Sequence, residues 1–266
     1  MIVGFIGTGN MGGALARAAA KALDPKSILL SDRATDKAEV LAKELGCRTD
    51  TAENLVKKAD YIFLGVKPHL MADMLEPLKP ILAARQAPFC LVSMAAGLSI
   101  GDIRRMAGDD YPVIRIMPNI PVSVGTGVVL YDTSDNVPDW AVEEFSKTMA
   151  HAGLLDRLPE SLIDAGSAVT GCGPAFAAMF IEALADGGVA CGLPRPKAME
   201  YAAMMLQGSA ALIMANHQHP GALKDAVCSP GGSTIAGVRA LEQGAFRAAA
   251  MNAVEAAYRR TLELGK

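Results

Sequence analysis

Ile2-Val3-Gly4-Phe5-Ile6-Gly7-Thr8-Gly9-Asn10-Met11-Gly12 decides how the rest of the chain is read. A short apolar run, Ile2–Ile6, halts at Gly7, and a helical pattern, Met11–Leu23, begins within the glycines. In such a G-x-G-x-x-G segment Gly7 permits the tight turn, Gly9 lets backbone approach a pyrophosphate, and Gly12 lets helix and strand pack. The helix start offers unpaired N–H groups and the positive end of its dipole to phosphates. A glycine loop alone can be an ordinary turn. Here the strand before it and the helix after it give the context of a dinucleotide-binding loop, formed by Gly7, Thr8, Gly9, Asn10, Met11 and Gly12.

Working outward, the same alternation recurs. Ser27–Ser31, Tyr61–Val66, Phe89–Ser93 and Val113–Met117 are short, nearly continuous apolar runs, and Lys37–Leu45 and Leu70–Leu78 are helical patterns between them. Unbroken apolar strands suit a parallel sheet covered on both faces, so the pattern predicts a doubly wound α/β domain. A strand at Gly127–Tyr131 and a helix at Ala141–Ala152 complete it. The second strand ends in Ser31-Asp32-Arg33. An acid about 20 residues past the last glycine suits a ribose 2′-hydroxyl and NAD, whereas Ser31 and Arg33 suit a 2′-phosphate. The expectation is that both dinucleotides are used, with NADP(H) modestly preferred over NAD(H).

After Leu158 strand-like runs disappear, and Ala- and Met-rich helical windows follow: Phe176–Ala190, Lys197–Asn216, Ile235–Gln243 and Phe246–Leu264. The chain of 266 residues thus divides into a dinucleotide-binding domain, 1–158, and an all-α domain, 159–266. So much apolar helical surface in about 110 residues points to a homodimer that shares it.

Composition excludes several classes of function. Apolar residues make up 51% of the chain and charged ones 20%, too apolar a mixture for long disordered stretches. With 25 Lys+Arg against 28 Asp+Glu and 5% aromatics, nothing favours nucleic acid. Five cysteines without a C-x-x-C pair argue against disulfides and structural zinc. The start of the chain lacks a signal-peptide pattern, and Glu182, Asp186, Glu200 and Gln207 interrupt the most apolar windows. The expectation is a cytoplasmic protein with no membrane partner.

In the helical half, Thr170-Gly171-Cys172-Gly173-Pro174-Ala175 and Cys228-Ser229-Pro230-Gly231-Gly232-Ser233-Thr234 each place small residues just before a helix. Such turns expose N–H groups that can hold a carboxylate, or they simply separate helices. His217 and His219 have no acidic or Cys partner nearby and read as helix-terminal residues, with no metal site expected. Cys172 reads as a small packed residue. No base stands a helical turn past Gly173, which argues against a 3-hydroxyacid dehydrogenase.

With these residues in view, the chain resembles pyrroline-5-carboxylate reductase over essentially its whole length. The likeness rests on Gly4–Gly12, Gly65-Val66-Lys67-Pro68, Ala95-Ala96-Gly97, Arg115-Ile116-Met117-Pro118-Asn119, Thr170–Phe176, Leu223-Lys224-Asp225 and Cys228–Ile235. The resemblance implies reduction of 1-pyrroline-5-carboxylate to L-proline with NAD(P)H, the last step of proline biosynthesis. It implies an N-terminal Rossmann domain and a C-terminal helical dimerisation domain, with the substrate near the dimer interface. Cofactor contacts are then expected on the glycine loop, on Val66, Lys67 and Pro68, on Ala95, Ala96 and Gly97, and at Asn119. Gly231, Gly232 and Ser233 are expected to hold the substrate carboxylate and Thr234 to assist at the ring nitrogen, with Glu160 lining the pocket. The chain departs from the family at Cys172, Phe176 and Ala52, where Ser, Tyr and Asn are usual. These changes put polar roles there in doubt, not the fold.

Overall fold

In the computed structural model, which describes residues 1–264, the first half runs β1 (Val3–Ile6), α1 (Asn10–Ala22), β2 (Ile28–Ser31), α2 (Thr35–Leu45), β3 (Arg48–Thr49), α3 (Ala52–Lys58) and β4 (Tyr61–Leu64). It continues with α4 (Met71–Leu75), α5 (Lys79–Ala83), β5 (Cys90–Ser93), α6 (Ile100–Ala107), β6 (Val113–Pro118), β7 (Gly127–Thr133), α7 (Asp139–Thr148) and β8 (Gly153–Arg157). Helices α8 (Glu160–Thr170), α9 (Gly173–Ala190), α10 (Arg195–Asn216), α11 (Pro220–Ala226), α12 (Ser233–Gln243) and α13 (Phe246–Leu264) follow.

The eight strands form one sheet in the order β3-β2-β1-β4-β5-β6-β7-β8. Alternation along the strands sends Val3, Phe5, Ile28, Leu30 and Phe63 to one face, against Leu15 and Ala19 of α1 and Leu41 of α2. Ile6, Leu29, Ile62, Leu64 and Leu91 go to the other, against Leu55 of α3, Leu75 of α4 and Ile103 of α6. Helices on both faces account for the continuous apolar runs. Phe5 and Phe63 stack at 4.4 Å between ring centroids, and burying each such side chain contributes about 1.5–3 kcal/mol.

All pairings are parallel but one: β7 runs antiparallel to β6. Residues 119–126 are too few for the helical crossover a parallel return needs, and they form a 3-10 segment closed by Gly125 at φ +78°. β3 and β8, which the apolar pattern does not announce, are the two edges of the sheet, and both residues of β3 are exposed. The helix expected at Leu70–Leu78 is α4 only to Leu75 and a 3-10 turn from Glu76 to Leu78, and α5 begins just beyond it at Lys79. Pro77 and Pro80 lack the N–H that a continuous helix needs.

Contacts divide the chain into two compact units, Met1–Gly171 joined by residues from Ala257 onward, and Cys172–Ala256. The division falls later than the change in sequence texture at Leu158. Helix α8 accounts for the difference, because Ile163 is fully buried with Met117 and Leu130 of the sheet. In the second unit α9 packs along α10, with Gly188 so close that a Cβ there would lie 3.3 Å from that of Ala198. Phe180 and Phe246 meet at 5.4 Å. Yet among the described residues of this unit only Ala185, Ala198 and Ala202 are buried, while Met179 is 69% and Met204 62% exposed. One helical stretch among the described residues, Glu160–Ala190, is long and apolar enough by composition to cross a membrane.

Candidate dinucleotide and carboxylate sites

Chain order reverses between β1 and β4: the chain leaves β1 for β2 on one side and returns to β4 on the other. In open α/β sheets this switch point opens a crevice beyond the strand ends where ligands bind. Here the crevice floor is backbone against backbone. Gly7 adopts φ +97°, and a Cβ on it would lie 2.6 Å from the Gly65 carbonyl oxygen. A Cβ on Gly12 would lie 2.1 Å from the Gly7 carbonyl oxygen, so α1 starts directly on the loop. Gly9 has nothing within 4 Å of the Cβ position. Gly9 also caps α1 without a side-chain hydrogen bond, and the first turn holds no acidic residue. The first N–H groups of α1 therefore form a positive helix end with no carboxylate from its own turn, open to space, which fits a pyrophosphate.

The remaining expected cofactor residues follow neighbouring strand ends: Val66, Lys67 and Pro68 after β4, Ala95, Ala96 and Gly97 after β5, and Asn119 after β6. Lys67 and Ala96 are exposed, whereas Asn119 is buried with its amide engaged at both ends. Its Nδ2 donates to the Thr170 carbonyl at 2.9 Å, and its Oδ1 accepts from Val128 N at 2.8 Å. Asn119 thus joins the end of β6 to the last turn of α8. Gly97 takes φ +76°, and the chain then enters α6 through a Ser99–Asp102 capping box.

At the end of β2, Ser31 is buried and Arg33 exposed. Asp32 is turned toward the glycine loop. Thr8 N donates to its Oδ2 at 2.7 Å and Thr8 Oγ1 does so at 3.0 Å, while Ala34 N donates to Oδ1 at 2.9 Å. Burial acts to raise the Asp32 pKa, but the bonds from Thr8 and Ala34, with Lys37 nearby, hold it below the ordinary aspartate value.

Glu160 lies at the start of α8. Its Oε1 accepts from Ile100 N, the first residue of α6, at 2.7 Å. The same oxygen lies 3.3 Å from Nη1 of Arg115, whose Nη2 pairs with Asp164 Oδ1 at 2.6 Å. The Arg115 side chain is only 4% exposed. This cluster was not foreseen, although a lone charge inside the apolar run Val113–Met117 signals a buried partner.

In the second unit, Gly231 at φ +68° turns the chain into α12, whose N-cap is Gly232. Gly232 N donates to the Ser229 carbonyl at 3.0 Å. No side chain caps α12 and its first turn has no acid, so N–H groups of that turn stay unneutralised. Ser233 and Thr234 are exposed. Cys172 is the N-cap of α9. His217 ends α10 at φ +48°, and His219 Nδ1 accepts from Gly221 N at 3.0 Å. Both histidines stand at helix ends. Among the described residues no group of three or more His, Cys, Asp or Glu side chains could hold a metal ion.

Comparison with known proteins bears on both units. Residues 160–264 match the family model described as pyrroline-5-carboxylate reductase dimerisation. Residues 2–97 match that of NADP oxidoreductase, coenzyme F420-dependent. The chain is similar to pyrroline-5-carboxylate reductase 2 of Bos taurus, 41% identical over 99% of this chain and 84% of that one. It is similar to pyrroline-5-carboxylate reductase of Arabidopsis thaliana, 38% identical over 99% and 95% of the two chains. It also resembles the crystal structure of Plasmodium falciparum pyrroline carboxylate reductase with NADP bound, at TM-score 0.87 and 30% identity, covering 100% of this chain and 98% of that one. The chain belongs to the pyrroline-5-carboxylate reductase family.

Proposed function

We infer that this chain reduces 1-pyrroline-5-carboxylate to L-proline with NAD(P)H, the last step of proline biosynthesis. The observation that carries the reading is the open, uncapped start of α1 over the Gly7–Gly65 contact at the switch point, in a chain whose relatives bear this activity in their names. The dinucleotide, when bound, supplies the hydride. The chain's own residues bind and orient. Gly7, Thr8, Gly9, Asn10, Met11 and Gly12 receive the pyrophosphate, and Ser31 and Arg33 take a 2′-phosphate. Val66, Lys67, Pro68, Ala95, Ala96, Gly97 and Asn119 line the rest of the cofactor site. NADP(H) is the preferred cofactor and NAD(H) is also used.

Backbone N–H groups at Gly231 and Ser233 hold the substrate carboxylate, and Gly232, whose own N–H bonds the Ser229 carbonyl, shapes the turn that presents them. The Thr234 hydroxyl hydrogen-bonds the ring nitrogen, whose charge and lone pair change as the C=N bond is reduced. A protonated imine is already electrophilic, so orientation can supply the main effect, roughly 7–11 kcal/mol of the barrier. Glu160 lines the substrate pocket on this reading; its bond to Ile100 N equally suits a role in holding the α6 start. The functional division is a dinucleotide-binding domain through residue 158 and a substrate-binding and dimerisation domain from 159. The start of the dimerisation model at residue 160 supports it. The active form is a homodimer in the cytoplasm, and the exposed apolar helices of the second unit support the dimer.

Consumption of NAD(P)H with 1-pyrroline-5-carboxylate as sole substrate, with proline as product, tests the activity; silence with both dinucleotides refutes it. Thr234→Ala should lower turnover about 10–100-fold, the worth of one polar contact of about 1–3 kcal/mol to the transition state. Unchanged turnover removes Thr234 from the mechanism.

A further inference from the structure

Asp32 stands at the end of β2, where dinucleotide-binding folds of this type place an acid against the ribose 2′-hydroxyl and thereby favour NAD. Its carboxylate is committed to other partners. Oδ2 accepts both the main-chain N–H and the hydroxyl of Thr8, at 2.7 and 3.0 Å, and Oδ1 accepts from Ala34 N at 2.9 Å. An ionised carboxylate has about four lone-pair sites, and three donors occupy this one. Thr8 is 8% exposed, so without Asp32 its donors would be left unsatisfied in the interior. The adjoining bond from Gly7 N to the Ser31 carbonyl, 2.8 Å, ties the same turn to the same strand end.

We propose that Asp32 is a positioning residue for the phosphate-binding loop and not a ribose acceptor. It fixes Thr8, and through it the Gly7–Gly12 turn, in the form that receives the pyrophosphate. The 2′ position of the ribose is left to Ser31 and the exposed Arg33, so an acid at the end of β2 coexists with binding of a 2′-phosphate. This rests on the NAD(P)H reading of the site, and the two can fail separately.

The test is calorimetric titration of the full chain with NADP⁺ and with NAD⁺, no substrate present, beside steady-state kinetics. Asp32→Asn keeps the shape but loses the charge, and charge-assisted bonds are about twice as strong as neutral ones. It should weaken both dinucleotides by about five- to tenfold and leave their affinity ratio within about twofold. KM for each cofactor should rise in step, while kcat at saturation stays within about threefold. Loss confined to NAD⁺, tighter NADP⁺ binding, or no change in either overturns the proposal. Thr8→Val removes one donor and leaves the carboxylate in place, which covers the case of an Asp32→Asn chain that does not fold. Weaker binding of both dinucleotides then supports the proposal, and unchanged binding overturns it. Failure of the unaltered chain to bind either dinucleotide overturns the NAD(P)H reading itself.

Discussion

The sheet-bearing unit and the helical unit solve the burial problem in opposite ways. In the first, Phe5, Phe63, Phe145, Leu15 and Leu55 are fully buried, and each sheet face has its own helices. In the second, the described buried side chains are three alanines, and methionines of α9 and α10 stand open. Apolar residues are spread around α10 and not gathered on one stripe, which suits a helix covered on several sides. The first unit buries its largest core side chains within one chain. The second leaves apolar side chains open, and on the homodimer reading a second copy covers them.

The largest expected effects break that contrast at its two poles. Phe63→Ala empties a fully buried site and should cost about 3–5 kcal/mol, seen as a large fall in unfolding midpoint. Met204→Glu at an exposed position should change a lone chain by less than about 0.5 kcal/mol. Across an apolar subunit contact it strands a charge at a cost of several kcal/mol, about 3–5 by comparison with broken buried pairs. Sedimentation across a dilution series separates the two cases. Dissociation of the variant at concentrations where the unaltered chain stays associated supports the shared interface; identical association removes Met204 from it.

The Arg115 cluster sharpens the first pole, because it pins α8 to the sheet. Arg115→Met leaves the Asp164 carboxylate, 23% exposed, and Glu160, 31% exposed, without their cation. Partial solvation softens the penalty of a broken buried pair, so about 2–3 kcal/mol is expected. Chemical denaturation measures it. Arg115→Met with Asp164→Leu should recover part of the loss; if the double variant is no better than the single, the pair is not the source of the stability.

What the sequence made legible follows the same divide. Strands β1, β2, β4, β5 and β6 are readable because each is buried on both faces and so must be apolar throughout. β3 and β8 are edges with Arg48, Asp156 and Arg157, and their pairing depends on a neighbour that local pattern does not name. The strand–loop–helix setting of the glycine loop was legible, with Gly7 and Gly12 close against backbone and Gly9 open. The bond of Asp32 to Thr8 and the partners of Arg115 were not, since they join residues 24 and 45–49 positions apart. Sequence spacing carries the period of a helix or strand, not the contacts folding creates between distant segments.

A smaller effect distinguishes the loops within the first unit. Ser99 N and Oγ donate to Asp102 Oδ2 at 2.8 and 2.6 Å, capping α6 just after Ala95-Ala96-Gly97. Burial acts to raise the Asp102 pKa, but the Ser99 bonds together with Arg105 and Arg115 hold it below its ordinary 3.8. A depressed folded-state value means stability that is present above the unfolded value and lost as pH falls through the folded one. Asp102→Asn should therefore cost about 1 kcal/mol near neutrality. The difference from the unaltered chain should shrink below about pH 4 and vanish in stronger acid. A difference that persists unchanged there would tie the loss to shape and not to charge.

The smallest expected effect tests whether the open unit stores strain. Ala245, between α12 and α13, holds φ +55°, a left-handed conformation that its Cβ disfavours. That conformation costs a residue with a side chain roughly 1–2 kcal/mol. Glycine relieves it but adds freedom to the unfolded chain, which offsets about 0.4–1 kcal/mol. Ala245→Gly should then stabilise the protein by about 0.5–1 kcal/mol. Because α12 and the start of α13 belong to the second unit, the gain should appear as slower amide exchange in those helices and leave the sheet strands unchanged. Faster exchange there would mean that Ala245 is held by contacts its methyl group makes, and that the backbone at this junction is not under strain.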